Sequence, residues 1–123
     1  MRLLCCDDEP YVRETLGCLL NTLGHRAVIV ASGEEAVRAY REAPDAEQFD
    51  ACIFDMVLGR DGMDGFTAAS MIRVLDHDAR IVIVTGYDPA VFGEEARQHG
   101  FPILAKPYSL EDLSAVLQHV TAG

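Results

Sequence analysis

The sequence lacks any apolar run near the roughly 18 residues needed to cross a bilayer. It is also poor in basic residues, because 10 Lys and Arg face 20 Asp and Glu and give a formal charge of −10. Such a charge repels nucleic acid and anionic lipid, and no local basic patch offsets it. We therefore expect a cytoplasmic protein with no direct binding to nucleic acid or membrane.

The four cysteines, Cys5, Cys6, Cys18 and Cys52, lack the spacing of a metal site. All four lie within apolar stretches, and neighbouring cysteines in a strand point to opposite faces. We expect reduced thiols in the core.

The length of 123 residues is typical of one domain. No internal repeat, linker or low-complexity tract interrupts the chain. We therefore expect a single domain over residues 1–123, with no output domain.

Short apolar runs alternate with segments of helical periodicity. The predicted strands are residues 3–6, 27–31, 51–54, 81–84 and 103–105. The predicted helices are residues 10–24, 32–42, 66–75, 88–100 and 109–120. This alternation predicts right-handed βαβ crossovers and a parallel sheet with helices on both faces.

Polar side chains stand where four of the predicted strands end. Asp7 and Asp8 follow the first strand and Asp55 follows the third. Thr85 follows the fourth, and Lys106 follows the fifth. Because the carboxyl ends of parallel strands meet at one edge, where ligands bind in such folds, we expect these five side chains to converge.

Three crowded carboxylates repel one another, and a site rich in oxygen suits Mg²⁺. With a cation bound, the central Asp55 can attack a phosphoryl donor while Lys106 neutralises the transferred oxygens and Thr85 donates a hydrogen bond. Each residue alone has a plainer interpretation, such as a helix cap or a solvated charge. The complete set is far more specific.

The chain resembles the receiver domain of two-component response regulators over nearly its whole length. The resemblance lies in CCDDEP, IFDMVL, the Asp64-Gly65 pair, IVIVTG and LAKPYSLEDL. It implies a flavodoxin-like, doubly wound (βα)5 sandwich, with a five-stranded parallel sheet in the order 2-1-3-4-5. It also implies a cis peptide between Lys106 and Pro107.

The resemblance further implies a role for each residue of the set. Asp55 would be the phosphoacceptor, Thr85 the switch hydroxyl and Lys106 the phosphate partner. The Mg²⁺ ligands would be Asp7, Asp8, Asp55 and the backbone carbonyl of Val57.

Partners follow from the same resemblance. A sensor histidine kinase or phosphotransfer protein would dock near the first helix, and a downstream effector would contact residues 87–113. We expect a monomer or weak dimer. Ile103 stands where many relatives carry Tyr or Phe, so the usual aromatic coupling is not expected. Val57 and Tyr87 beside the attack path predict slow dephosphorylation.

Three other classes of protein share part of this pattern. A hydrolase of the haloacid dehalogenase type needs a second acid where Val57 stands, and hence lacks its general acid. A flavin binder needs a phosphate cradle where this chain is acidic. A receiver-like module that is never phosphorylated remains open. We favour a signalling phosphoacceptor over an enzyme.

Overall fold

The computed structural model describes residues 1–56, 63–86 and 97–122. Within them, five strands form one parallel sheet in the order β2-β1-β3-β4-β5. The strands are β1 (Arg2–Cys6), β2 (Arg26–Val30), β3 (Ala51–Asp55), β4 (Ile81–Thr85) and β5 (Ile103–Ala105). The predicted flavodoxin-like fold and strand order are confirmed.

Helices cover both faces of this sheet. The described helices are α1 (Pro10–Thr22), α2 (Gly33–Glu42), α3 (Gly65–Leu75) and α4 (Leu110–Thr121), with a short 3-10 helix at Asp45–Glu47. The helix predicted over residues 88–100 falls largely outside the described ranges. No helix in the described ranges is long and apolar enough to span a membrane.

Side-chain caps begin three of these helices. Ser32 accepts a hydrogen bond from the backbone N–H of Glu35, and Asp64 accepts one from Thr67. At α4, Ser109 and Asp112 cap each other's backbone in a capping box. Each cap satisfies an amide at a helix start that would otherwise have no partner within the helix.

Alternation along the strands divides the core into two layers. One layer packs under α2 and α3, and the other packs under α1 and α4. The central strands are buried on both faces, as in the run of β-branched residues over Ile81–Thr85. The residues at the ends of the strands are therefore supported by a sheet that is packed on both faces.

The cysteine prediction holds at three positions and is wrong at the fourth. Cys5, Cys6 and Cys52 are buried free thiols, but Cys18 is exposed. Helix α1 buries Leu16, and a residue two positions further on lies about 200° around the helix, which places Cys18 on the opposite face.

Gly65 marks the closest approach between α3 and the sheet. A Cβ built at Gly65 would lie 1.9 Å from the carbonyl oxygen of Asp55 and 2.8 Å from its carbonyl carbon. The Gly65 N–H also donates to the Met56 carbonyl at 3.0 Å. The first residue of α3 thus rests directly on the backbone that carries Asp55.

We expect Gly65→Ala to lower the free energy of unfolding by about 2 kcal/mol or more, since the neighbouring atoms are backbone and cannot move aside cheaply. Urea denaturation checks this. Gly17→Ala is the matched control, because its Cβ would meet only the flexible end of Ile29, at 3.2 Å. A Gly65→Ala protein as stable as Gly17→Ala would contradict the predicted clash.

Candidate functional site

A pocket of about 340 Å³ opens at the carboxyl edge of the sheet. It is lined by Asp7, Asp8, Glu9, Val12, Asp55, Thr85, Gly86 and Lys106. Five of the six predicted site residues therefore share one cavity. The sixth, Val57, lies outside the described residues.

The parallel register places these side chains next to one another. Asp55 ends β3, which pairs with β1 on one side and with β4 on the other. Thr85 ends β4 and pairs with Ala105, and its carbonyl accepts a hydrogen bond from the Lys106 N–H at 2.8 Å. Because adjacent parallel strands end level with one another, four chain segments far apart in sequence meet at this edge.

Lys106 connects the two acidic strand ends. Its Nζ donates a hydrogen bond to Asp55 Oδ2 and lies 3.7 Å from Asp7 Oδ2. Burial lowers the pKa of Lys106, but the hydrogen bond to Asp55 and the charges of Asp55 and Asp7 more than offset this and leave the pKa above its ordinary value. The ammonium is therefore charged at neutral pH. The peptide between Lys106 and Pro107 is cis, as the resemblance implied.

Asp7 is the buried member of the acidic pair, with only 4% of its surface exposed. Its Oδ1 accepts a hydrogen bond from the Glu9 N–H at 2.9 Å, and its carbonyl accepts one from Arg13 Nη1 at 2.8 Å. Burial, together with a hydrogen bond and repulsion from Asp55, raises the pKa of Asp7 to about 6, against the opposing effects of the Glu9 N–H and Lys106. Negative charge is costly at this position.

These donors fit a hard cation, although they do not form a closed ligand cluster. Asp8 is exposed, unlike Asp7. Among the described residues no three acidic, His or Cys side chains are grouped closely enough to hold a metal together. Lys106 already supplies part of the positive charge that the crowded carboxylates were predicted to need. Three carboxylates, those of Asp7, Asp8 and Asp55, face the one ammonium of Lys106 in this pocket, and oxygen donors in such excess suit a hard cation.

Thr85 and Cys6 are buried beside the acidic groups. Thr85 is 1% exposed and lines the pocket at the end of β4. Burial, aided by repulsion from nearby carboxylates, raises the pKa of the Cys6 thiol to about 12. Cys6 therefore stays protonated and is not a nucleophile at neutral pH.

Sequence reasoning missed three neighbours of the site. Glu9 and Val12 line the pocket, and Arg13 holds the Asp7 carbonyl. The available signal was Pro10 directly after the acidic run, because a helix that begins there places its first turn against the strand end.

Ile103 is half-buried and lies against the core. It pairs with Ile83 and packs against the cluster that contains Phe101. The Phe101 ring centroid lies 5.7 Å from that of Phe66, edge to face, so the aromatic contacts in this region come from Phe101 rather than from position 103.

Comparison with known proteins is consistent with this geometry. Residues 3–118 match the model of the response regulator receiver domain family. Transcriptional regulatory protein RprY of Bacteroides fragilis is 28% identical over 98% of this chain. Sporulation initiation phosphotransferase F of Bacillus subtilis is 26% identical over 91% of this chain and 86% of its own length. The chain spans only 50% of RprY.

Two solved structures share the fold of this chain. One is the receiver domain of a Pseudomonas aeruginosa sensor histidine kinase, which was solved with a magnesium ion coordinated in its active-site cleft. It is 27% identical to this chain and superposes with a TM-score of 0.85. The match covers 99% of this chain and 98% of that one. A Clostridium thermocellum receiver domain protein, 23% identical, covers 98% of this chain and 94% of that one with a TM-score of 0.88. The chain belongs to the response regulator receiver domain family of two-component signalling.

Proposed function

We propose that this receiver domain accepts a phosphoryl group on Asp55 and that the modified site alters a protein-interaction surface. The observation that carries the proposal is the position of Lys106. Its Nζ donates a hydrogen bond to Asp55 Oδ2 and lies 3.7 Å from Asp7 Oδ2 in the same pocket. The Lys106 ammonium would pair with the negative charge that a phosphoryl group on Asp55 would bring.

The proposed transfer forms a bond between an Asp55 carboxylate oxygen and phosphorus. The bond from phosphorus to the donor breaks, and the electron pair leaves with the donor, which is the imidazole nitrogen of a phosphohistidine in the proposed partner. Lys106 is positioned to neutralise one phosphoryl oxygen, and the Thr85 hydroxyl to donate to another. An acyl phosphate would result.

Asp7, Asp8, Asp55 and the carbonyl of Val57 are the residues that we propose would hold Mg²⁺. The ion would supply charge neutralisation for the phosphoryl oxygens. Asp7 is held by the Glu9 N–H and through its own carbonyl by Arg13, so its carboxylate is oriented in advance. Asp8, being exposed, retains the freedom to move toward a cation.

A histidine kinase or phosphotransfer protein is the proposed phosphodonor, docking at the α1 side of the pocket. Residues 87–113 are the proposed output surface toward an effector, and they include residues outside the described ranges. We propose that residues 1–123 act as one domain and function as a switch rather than as an enzyme. The predicted slow dephosphorylation depends on Val57 and Tyr87, which also lie outside the described ranges.

Acetyl phosphate with Mg²⁺ should add the mass of one phosphoryl group to the protein, and Asp55→Asn should abolish this gain because the amide is not a nucleophile. Intact-protein mass spectrometry measures both results. Chelation of the metal with EDTA should also prevent the gain.

Asp50→Asn is the matched control, because Asp50 is exposed and accepts a hydrogen bond from the Arg2 N–H away from the pocket. A gain of mass that persists in Asp55→Asn would place the phosphoryl group elsewhere. Multiple turnovers of a small phosphate ester would favour the hydrolase alternative instead.

Asp8→Asn should weaken Mg²⁺ binding by roughly tenfold or more, since a hard cation loses one charged oxygen ligand. Titration calorimetry with MgCl₂ measures the affinity. Glu14→Gln removes the same charge from the exposed side of α1 and should leave the affinity nearly unchanged. Equal losses in both variants would indicate a general charge effect rather than a ligand.

The raised pKa of Asp7 implies a defined pH dependence in metal-free buffer. Its pKa moves from 3.8 to about 6 on folding, so below pH 3.8 both states are protonated and the carboxyl costs nothing. Between these values the folded state binds more protons than the unfolded state, and stability falls as pH rises. Above about pH 6 the full cost is present.

Asp7→Asn should therefore raise the free energy of unfolding by roughly 1–3 kcal/mol near pH 7.5 in EDTA, and the gain should vanish near pH 3.5. The asparagine Oδ1 can still accept the hydrogen bond from the Glu9 N–H. Urea denaturation at both pH values provides the measurement. Destabilisation near pH 7.5 would show that the ion pair with Lys106 outweighs the repulsion from Asp55.

A further inference from the structure

Arg13 lies near the start of α1, where a basic side chain is disfavoured. The helix begins at Pro10 with Glu9 as its N-cap residue, and Arg13 is its fourth residue. The amino-terminal end of a helix dipole is positive and repels a guanidinium. Departures from such local preferences are concentrated at functional sites. The position of Arg13 therefore calls for a contact that offsets this repulsion.

The guanidinium of Arg13 is bonded to a backbone carbonyl rather than to a carboxylate. Its Nη1 donates a hydrogen bond to the Asp7 carbonyl oxygen at 2.8 Å. Glu9, four residues earlier, is at the spacing of an acidic partner, yet Arg13 forms no ion pair within the described ranges. The cation that pairs with the Asp7 carboxylate is Lys106. Arg13 therefore acts on the backbone where β1 ends.

The carbonyl that Arg13 holds belongs to the peptide between Asp7 and Asp8. A peptide unit is planar, so the direction of the Asp7 carbonyl sets the positions of the Asp8 nitrogen and Cα. Asp7 is held elsewhere by two more bonds. Its N–H donates to the Val30 carbonyl at 3.2 Å, and its Oδ1 accepts from the Glu9 N–H at 2.9 Å. Arg13 supplies the contact that lies on the Asp8 side.

Asp8 depends on its backbone for its position. Its side chain is exposed and accepts no hydrogen bond from any residue in the part of the chain that the structure describes. The Asp7 carboxylate, by contrast, is buried and bonded. When the Asp8 backbone is fixed, only its side-chain torsions have to be ordered on binding a cation, which lowers the entropic cost of binding.

We propose that Arg13 is a positioning residue for the acidic pair, and that it strengthens Mg²⁺ binding by holding the peptide between Asp7 and Asp8. This inference rests on the Mg²⁺ site of the proposed function. It assigns to Arg13 an effect opposite in sign to that of its charge. A guanidinium near a cation site repels the cation, whereas the hydrogen bond to the Asp7 carbonyl orders the ligands that attract it.

Titration calorimetry with MgCl₂ measures this sign. Arg13→Met keeps the aliphatic part of the side chain but removes the charge and the donor, and we expect it to weaken Mg²⁺ binding about fivefold or more. If only charge mattered, the same substitution would strengthen binding. Arg26→Met is the matched control, because Arg26 is exposed at the start of β2, on the opposite edge of the sheet. It should change the affinity by less than about twofold.

A double-mutant cycle with Asp8→Asn separates positioning from a general loss of structure. If Arg13 acts through Asp8, Arg13→Met should weaken binding by only about twofold or less in the Asp8→Asn background, because the ligand that it positions is already impaired. Amide NMR shifts during the titration measure these weaker affinities. In EDTA, hydrogen exchange of the Glu9 N–H, which is bonded to Asp7 Oδ1, should be faster in Arg13→Met than in Arg26→Met.

Three results would overturn the role of Arg13 and leave the proposed function standing, provided that the parent chain binds Mg²⁺. They are unchanged or tighter binding in Arg13→Met, an equal loss with and without the Asp8 carboxylate, and unchanged exchange of the Glu9 N–H. A parent chain that binds no Mg²⁺ would overturn this role together with the proposed metal site. Thermal unfolding in EDTA checks that each variant is folded.

Discussion

The contact of Lys106 with the carboxylate of Asp55 is the interaction around which the carboxyl edge of the sheet is arranged. Two acidic strand ends and one basic strand end meet there, and the one ammonium faces three carboxylates, those of Asp7, Asp8 and Asp55. Such a cluster is tolerated because the sheet beneath it is apolar and buried on both faces. The core stabilises the fold, and the edge holds the unbalanced charge.

Chain direction distributes charge between the two edges of the sheet. In a parallel βα arrangement the helices begin at the carboxyl edge and end at the amino edge, so their positive dipole ends favour acidic groups at the first edge and their negative ends favour basic groups at the second. Glu9 and Asp64 precede α1 and α3, whereas Arg73 and His119 lie in the last turns of α3 and α4. The positions of Arg73 and His119 are therefore explained by the negative ends of the helix dipoles.

Most of this arrangement could be predicted from residue order alone. Strand ends locate Asp7, Asp55, Thr85 and Lys106, because parallel register brings consecutive strand ends to one edge. Helix phase was predicted less well, because Cys18 was wrongly placed in the core. The balance of charge could not be predicted, since it depends on distances that a pattern does not contain. The crowded carboxylates are compensated first by Lys106, whose ammonium was assigned only to a future phosphoryl group.

Gly65 connects the acidic pocket physically to the outer face of α3. Its lack of a side chain lets the first turn of α3 rest on the backbone of Asp55 and Met56, and Asp64 before it caps the same turn. A rotation of the Asp55 carbonyl would press on this turn, because no flexible side chain lies between them to absorb the movement. The far end of the helix is held to α2 through Tyr40 and Asp76, so α2 and α3 would move together. Direct contacts therefore connect the backbone of Asp55 to α3, and α3 to α2.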